Sequence, residues 1–165
     1  MERQARLGMA LFAVADSIFF IVLILAFWSF RTPTAQNAPI DLNVVMTSFV
    51  LAASGLTIWH AGRNTGKTLW VLSTIFFAVA FLFGQAALMI RMAHSGITVS
   101  RSLFGTAYFV LIGAHSLHAL VGFGLLLATT SKTASRYIES VTAFWYLVIG
   151  LWFAIFAVVY VRPFV

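Results

Sequence analysis

Apolar residues gather along the chain into five long runs, at about residues 8–30, 43–62, 68–92, 103–130 and 139–161. Crossing the hydrocarbon of a bilayer takes about 20 predominantly apolar residues, and the backbone must satisfy its own hydrogen bonds there, so each run reads as a transmembrane helix. Polar stretches separate them: RTPTAQNAPIDL (31–42) with two of the three prolines, RNTGK (63–67), RMAHSGITVSRS (91–102) and the turn 131–138. The tight connection at 63–67 predicts that the second and third helices are antiparallel neighbours. The first run shares a basic lead, Arg3 and Arg6, with signal peptides. It is longer than their usual apolar core, lacks a convincing small-residue cleavage site and closes on Trp28, Phe30 and Arg31 as an interface anchor, so it is read as a retained helix. The expected fold class is all-α: residues 1–165 form a single transmembrane domain, a five-helix bundle.

Composition excludes the soluble classes. Hydrophobic residues make up 62% of the chain and charged residues 8%, against about 25% charged in ordinary soluble domains. The net charge of +6, from 10 Lys and Arg against four acids, sits at the helix ends. No basic patch with interleaved exposed aromatics is present to track phosphates, so nucleic acid is excluded as a partner. Alternating the loops places Arg3, Arg6, Arg63, Lys67, Lys132 and Arg136 on one side and Arg31, Arg91, Arg101 and Arg162 on the other. The bias of basic residues puts the N-terminus in the cytoplasm and the C-terminus outside. There are no cysteines, hence no disulfide, thiolate metal site or thiol nucleophile.

Candidate chemistry is confined to a few intramembrane polar residues. Asp16 is the sole carboxylate inside any run, about halfway along the first among Phe12, Phe19 and Phe20. A mid-membrane acid costs a few kcal/mol and marks either a proton, ion or ligand path or a hydrogen-bonded fastening of the first helix to the fourth or fifth. In the fourth run His115 and His118, three apart on a helix, share a face. Ala119 and Gly122 continue that face with small residues that admit a close neighbour, and Gly113 is a further close-packing candidate. Two histidines on one helix supply at most two metal ligands, and haem b needs opposed histidines, for which His60 lies at the wrong depth. No metal site is expected, and the pair reads as polar glue between helices. Gln85, in the outer half of the third run, is expected to hydrogen-bond another helix. His60 reads as interfacial, His94 as solvent-exposed, and Tyr160, Arg162 and Pro163 as an interface signature.

Three segments carry a family resemblance: GMALFAVADSIFF (8–20), FGTAYFVLIGAHSLHALVG (104–122) and FWYLVIGLWF (144–153). They resemble subunit III of haem-copper terminal oxidases, cytochrome c or quinol oxidases, in order and spacing over nearly the whole chain. The sharpest part is Gly113, His115, His118 and Gly122, and Asp16, followed by Phe19 and Phe20, occupies the position of a family glutamate. The resemblance implies an accessory subunit that binds no redox cofactor itself, packs on the catalytic subunit I and other subunits of the complex, where haem and copper reside, holds phospholipid, and supports proton uptake and stable turnover during oxygen reduction. Longer members have seven helices, of which this chain resembles the last five. The implied location is a bacterial or archaeal plasma membrane. Two departures thin the polar interior: Trp145, Tyr146 and Ile149 stand where the family has tryptophan, histidine and a following acid, and Leu88 replaces a third-helix glutamate. Tyr146 thereby joins His115, His118 and Gln85 as a candidate interhelical or lipid-site residue. The alternatives are a subunit attached to a nitric oxide reductase, or an independent haem-binding cytochrome or small carrier.

Overall fold

Five helices run through the chain: α1 Glu2–Ser29, α2 Leu42–Arg63, α3 Lys67–His94, α4 Leu103–Thr129 and α5 Ile138–Phe156, the last continued by a π-helical turn, Ala157–Val161. The structure, a computed structural model, describes residues 2–30, 41–63, 67–100, 102–131 and 137–161, and of residues 2, 3, 5, 6, 63 and 67 the backbone alone. Most of the loop 31–42, the centre of the 63–67 connection, Lys132, Arg136, Arg101, Arg162 and Pro163 thus lie outside the described residues. The apolar spans within the helices are 23, 21, 27, 27 and 24 residues long, each sufficient to cross hydrocarbon. The chain is a multi-pass membrane protein.

Helix ends follow local chemistry. Arg91 and His94, read from the sequence as loop, belong to the last turns of α3, where basic side chains suit the carbonyl end of the helix dipole. The helix then closes on Gly96, whose φ of 85° is the left-handed conformation that glycine adopts without strain. The Gly96 N–H donates to the Ala93 carbonyl at 3.1 Å and the Ile97 N–H to the Met92 carbonyl at 3.2 Å, a Schellman cap. At the start of α4 the Ser102 hydroxyl accepts from the Gly105 N–H at 2.9 Å. Just before α2, Asp41 pairs with Arg91 of α3.

The packing order is a ring of four with one helix outside it. α2 packs on α3, α3 on α4, α4 on α5, and α5 back on α2, while α1 lies against α4 and α5. The α2–α3 hairpin is antiparallel in register: the Thr57 and Thr74 hydroxyls meet at 2.8 Å, and ten residues away in each direction Thr47 covers Gly84. Between α2 and α5 two serines receive two buried indoles. Trp145 Nε1–H donates to Ser54 Oγ, and Trp152 Nε1–H to Ser48 Oγ, each at 2.9 Å. Both rings are fully buried, so these bonds fix the α2–α5 register in a medium where an indole N–H finds no water. Ser54→Ala would leave the Trp145 N–H without its acceptor and is expected to destabilise the bundle by about 1–2 kcal/mol, read as a lowered unfolding temperature in detergent.

The π-helical turn corrects one expectation. Tyr160 is not an interface residue: it is 2% exposed, and its hydroxyl lies 3.0 Å from that of Tyr108 on α4. The wider turn brings Val159 and Tyr160 inward together at the end of α5.

Candidate functional site

The fourth helix brings the candidate residues to one level of the bundle, but it aims its two histidines at different neighbours. Three residues of helix turn the direction by 300°, leaving the pair about 60° apart. His115 is fully buried, and its Nε2–H donates to the Val148 carbonyl of α5 at 3.0 Å. Phe81 of α3, Phe20 of α1 and Trp152 of α5 enclose its ring, with centroids 5.7, 6.4 and 5.3 Å away. His118 turns instead to α1, where its Nε2 lies 2.8 Å from Asp16 Oδ1. Its Nδ1–H donates to the Ala114 carbonyl one turn back, at 2.8 Å. The ring is thereby fixed at both nitrogens.

Asp16 faces protein. It is 8% exposed although α1 as a whole is the least covered helix, with 17% of its span buried. Phe20 stands edge-on to His118 at 5.1 Å, and Phe144 stacks near it at 6.5 Å. Phe12 closes on Phe144 from the side of α1, with centroids 5.8 Å apart. An aromatic sleeve from α1 and α5 thus surrounds an acid and an imidazole in contact. Asp16 Oδ2 is buried without a hydrogen-bond partner among the described residues.

Small residues next to the site set how closely the helices approach. Gly122 lies under Trp145 of α5, where a Cβ would fall 2.8 Å from the indole. Ala119 is fully buried beside it. Gly113 differs from its expected role, since a Cβ there would meet nothing within 4 Å. The polar candidates on other helices also diverge. Gln85 is 1% exposed, yet neither atom of its amide has a partner among the described residues, contrary to the interhelical bond expected of it. Tyr146 lies half on the surface and donates from its hydroxyl to the Gly55 carbonyl of α2 at 3.1 Å. His60 stacks on Trp70 at the end of the α2–α3 hairpin, with centroids 4.7 Å apart, and His94 is exposed. The Tyr108–Tyr160 contact had no signal in the sequence beyond two aromatic residues, because a π-helical turn leaves no mark on hydrophobic periodicity.

Among the described residues no group of three or more His, Cys, Asp or Glu side chains converges on a point where a metal ion could sit. What the arrangement does is tie α1 to the ring of four through the contact of Asp16 with His118.

No family model matches the chain. Curated relatives do, over most of its length. It is 26% identical to a cytochrome c oxidase subunit 3 of Mycosarcoma maydis over 97% of this chain and 66% of the relative, and 26% identical to one of Synechocystis over 93% and 73%. A quinol oxidase subunit 3 of Bacillus subtilis is 25% identical over 93% of this chain and 85% of its own length. The chain thus spans about two thirds of the length of the fungal relative and more of the bacterial ones. Over nearly its whole length the chain is thus similar, at about 25% identity, to proteins named cytochrome c oxidase subunit 3 and quinol oxidase subunit 3.

Proposed function

We propose that this protein is the accessory, cofactor-free subunit III of a respiratory haem-copper terminal oxidase, seated on a catalytic subunit I that carries the haem and copper. The observation that carries the reading is the joint fit of similarity and placement: subunit III relatives match over 93–97% of the chain, and Asp16, the acid halfway along the first span, meets a histidine of the motif that marks the family. In this reading Asp16 and His118 support proton supply to the partner and so stabilise its turnover. The N-terminus is cytoplasmic and the C-terminus outside, from the loop-charge bias.

Phospholipid fits the lipid-facing surface. Leu56, Trp59, Tyr146, Ile149 and Phe153 line an open apolar groove of about 370 Å³ between α2 and α5, and a second of about 340 Å³, with Glu139 and Ser140 in its lining, runs between α1 and α5 past Met9, Ala10 and Ala13. Acyl chains are the natural filling of such grooves, with Trp59 at the level of the headgroups.

Affinity purification of the tagged chain from its native membrane tests the reading. The expected result is co-purification with a much larger subunit that carries the haem absorbance, while the chain produced alone in detergent shows no Soret band. A Soret band on the isolated chain would favour an independent cytochrome, and a partner that reduces nitric oxide but not oxygen would move it to that class of complex.

A further inference from the structure

Phe81, Gln85 and Leu88 succeed one another at helical spacing on α3, so they form one stripe, and all three are buried. Phe81 stands against the His115 ring of α4, while Leu88 shares a small cavity with Tyr108 of α4 and Tyr160 of α5. Gln85 lies between these two layers. Neither atom of its amide has a partner among the described residues, and nor does Nδ1 of His115, whose other ring nitrogen is bonded to the Val148 carbonyl. The Tyr108 and Tyr160 hydroxyls carry a hydrogen each, and their contact at 3.0 Å uses only one of the two. We propose that the ring of four holds bound water between the Tyr108–Tyr160 pair and His115, with the Gln85 amide as the central group of the site.

Buried polar groups in native proteins are hydrogen-bonded almost throughout, and where no protein group serves them, water does. The groups on this stripe differ in what they need. The amide offers two N–H donors and a carbonyl acceptor, Nδ1 accepts, and the spare tyrosine hydroxyl donates. Only a molecule that both donates and accepts serves them all, and the cavity beside Leu88 limits its size. That cavity measures about 20 Å³ and is closed by the Asp41–Arg91 pair; a water needs about 10–15 Å³, so it admits one and nothing larger. Ser48, at the same level of α2, is already engaged, donating to the Val44 carbonyl and accepting from Trp152. Between α3 and α4 the contact at this level is the Phe81 ring against His115, so water at the Gln85 amide supplies the polar link of that seam. An amide does not titrate, and the central group therefore holds its water at any pH at which the bundle is folded.

Solid-state NMR on the full chain in lipid bilayers, labelled with ¹³C-glycine, ¹³C,¹⁵N-glutamine and ¹⁵N-histidine, tests the site. Of the glutamines Gln4, Gln36 and Gln85, only Gln85 follows a glycine, so its resonances are identified in the wild-type chain without a substitution. Magnetisation from water protons is expected to reach the Gln85 side-chain amide, although that residue is 1% exposed and out of reach of bulk water. Gln85→Leu should leave the unfolding temperature in detergent unchanged or lower, because it removes a bonded amide. An amide in a dry core would itself be destabilising, and leucine in its place would raise that temperature. Where Gln85→Leu fails to fold, Gln85→Met gives the same comparison. Absence of water transfer to the Gln85 amide would overturn the proposal, and a coupling between its Nε2 and His115 Nδ1 would then show that the two bond directly. A higher unfolding temperature in the variant would overturn it as well.

Discussion

Gly122→Leu is expected to unfold the bundle more readily than any substitution on the lipid face. A Cβ at this position would already fall 2.8 and 2.9 Å from two ring carbons of Trp145 and 3.1 Å from Phe144. Trp145 cannot swing aside cheaply, since it is fully buried and its indole N–H is held by Ser54. The branched side chain must therefore push α4 from α5, and with them separate the His115–Val148 bond and the two-helix surface on which α1 rests. Overpacking a close-packed site costs about 1–3 kcal/mol, and the loss of those contacts adds to it. Thermal unfolding in detergent should show a large fall for Gly122→Leu and a far smaller one for Gly113→Leu on the same helix, where an added Cβ meets nothing within 4 Å. Equal effects at both glycines would contradict the close approach of α4 to α5.

The second large effect belongs to Asp16, where stability and function separate. Asp16→Leu leaves His118 Nε2 facing hydrocarbon, and an unsatisfied buried polar group costs about 1–3 kcal/mol. Asp16→Asn keeps shape and a hydrogen bond to the ring, so the unfolding temperature should stay near that of the wild type. The amide neither takes up nor releases a proton in the working pH range, however. An oxidase complex carrying Asp16→Asn is therefore expected to lose activity faster over repeated turnover, and to slow most at high pH, where proton supply limits the rate. Wild-type durability in Asp16→Asn together with instability in Asp16→Leu would make the acid a fastening and nothing more.

Much of the fold was legible because a bilayer accepts so few solutions: five apolar runs of spanning length became five helices. The hairpin of α2 and α3 followed from a connection too short for anything else. Helix ends were less legible, since the polar Arg91 and His94 read as loop although they close α3, and the cap resides in Gly96. At the candidate site the sequence located Asp16 and the two histidines but not their pairings. Residues three apart share a face only to within about 60°, enough for His115 to meet α5 and His118 to meet α1. Hydropathy likewise makes Gly113 and Gly122 alike, and only packing separates the glycine beneath an indole from the one in open space. Gln85 shows the opposite limit: a buried amide was anticipated, and its partner was not there to find among the described residues.

Oxygen consumption by the proposed partner oxidase, followed over many turnovers with and without this chain, bears most directly on the proposed assignment as an accessory subunit. Membranes lacking the chain should yield an oxidase that still reduces oxygen but inactivates several-fold sooner, with durability restored when the wild-type chain is added back. An oxidase whose turnover and lifetime are indifferent to the chain would refute the assignment.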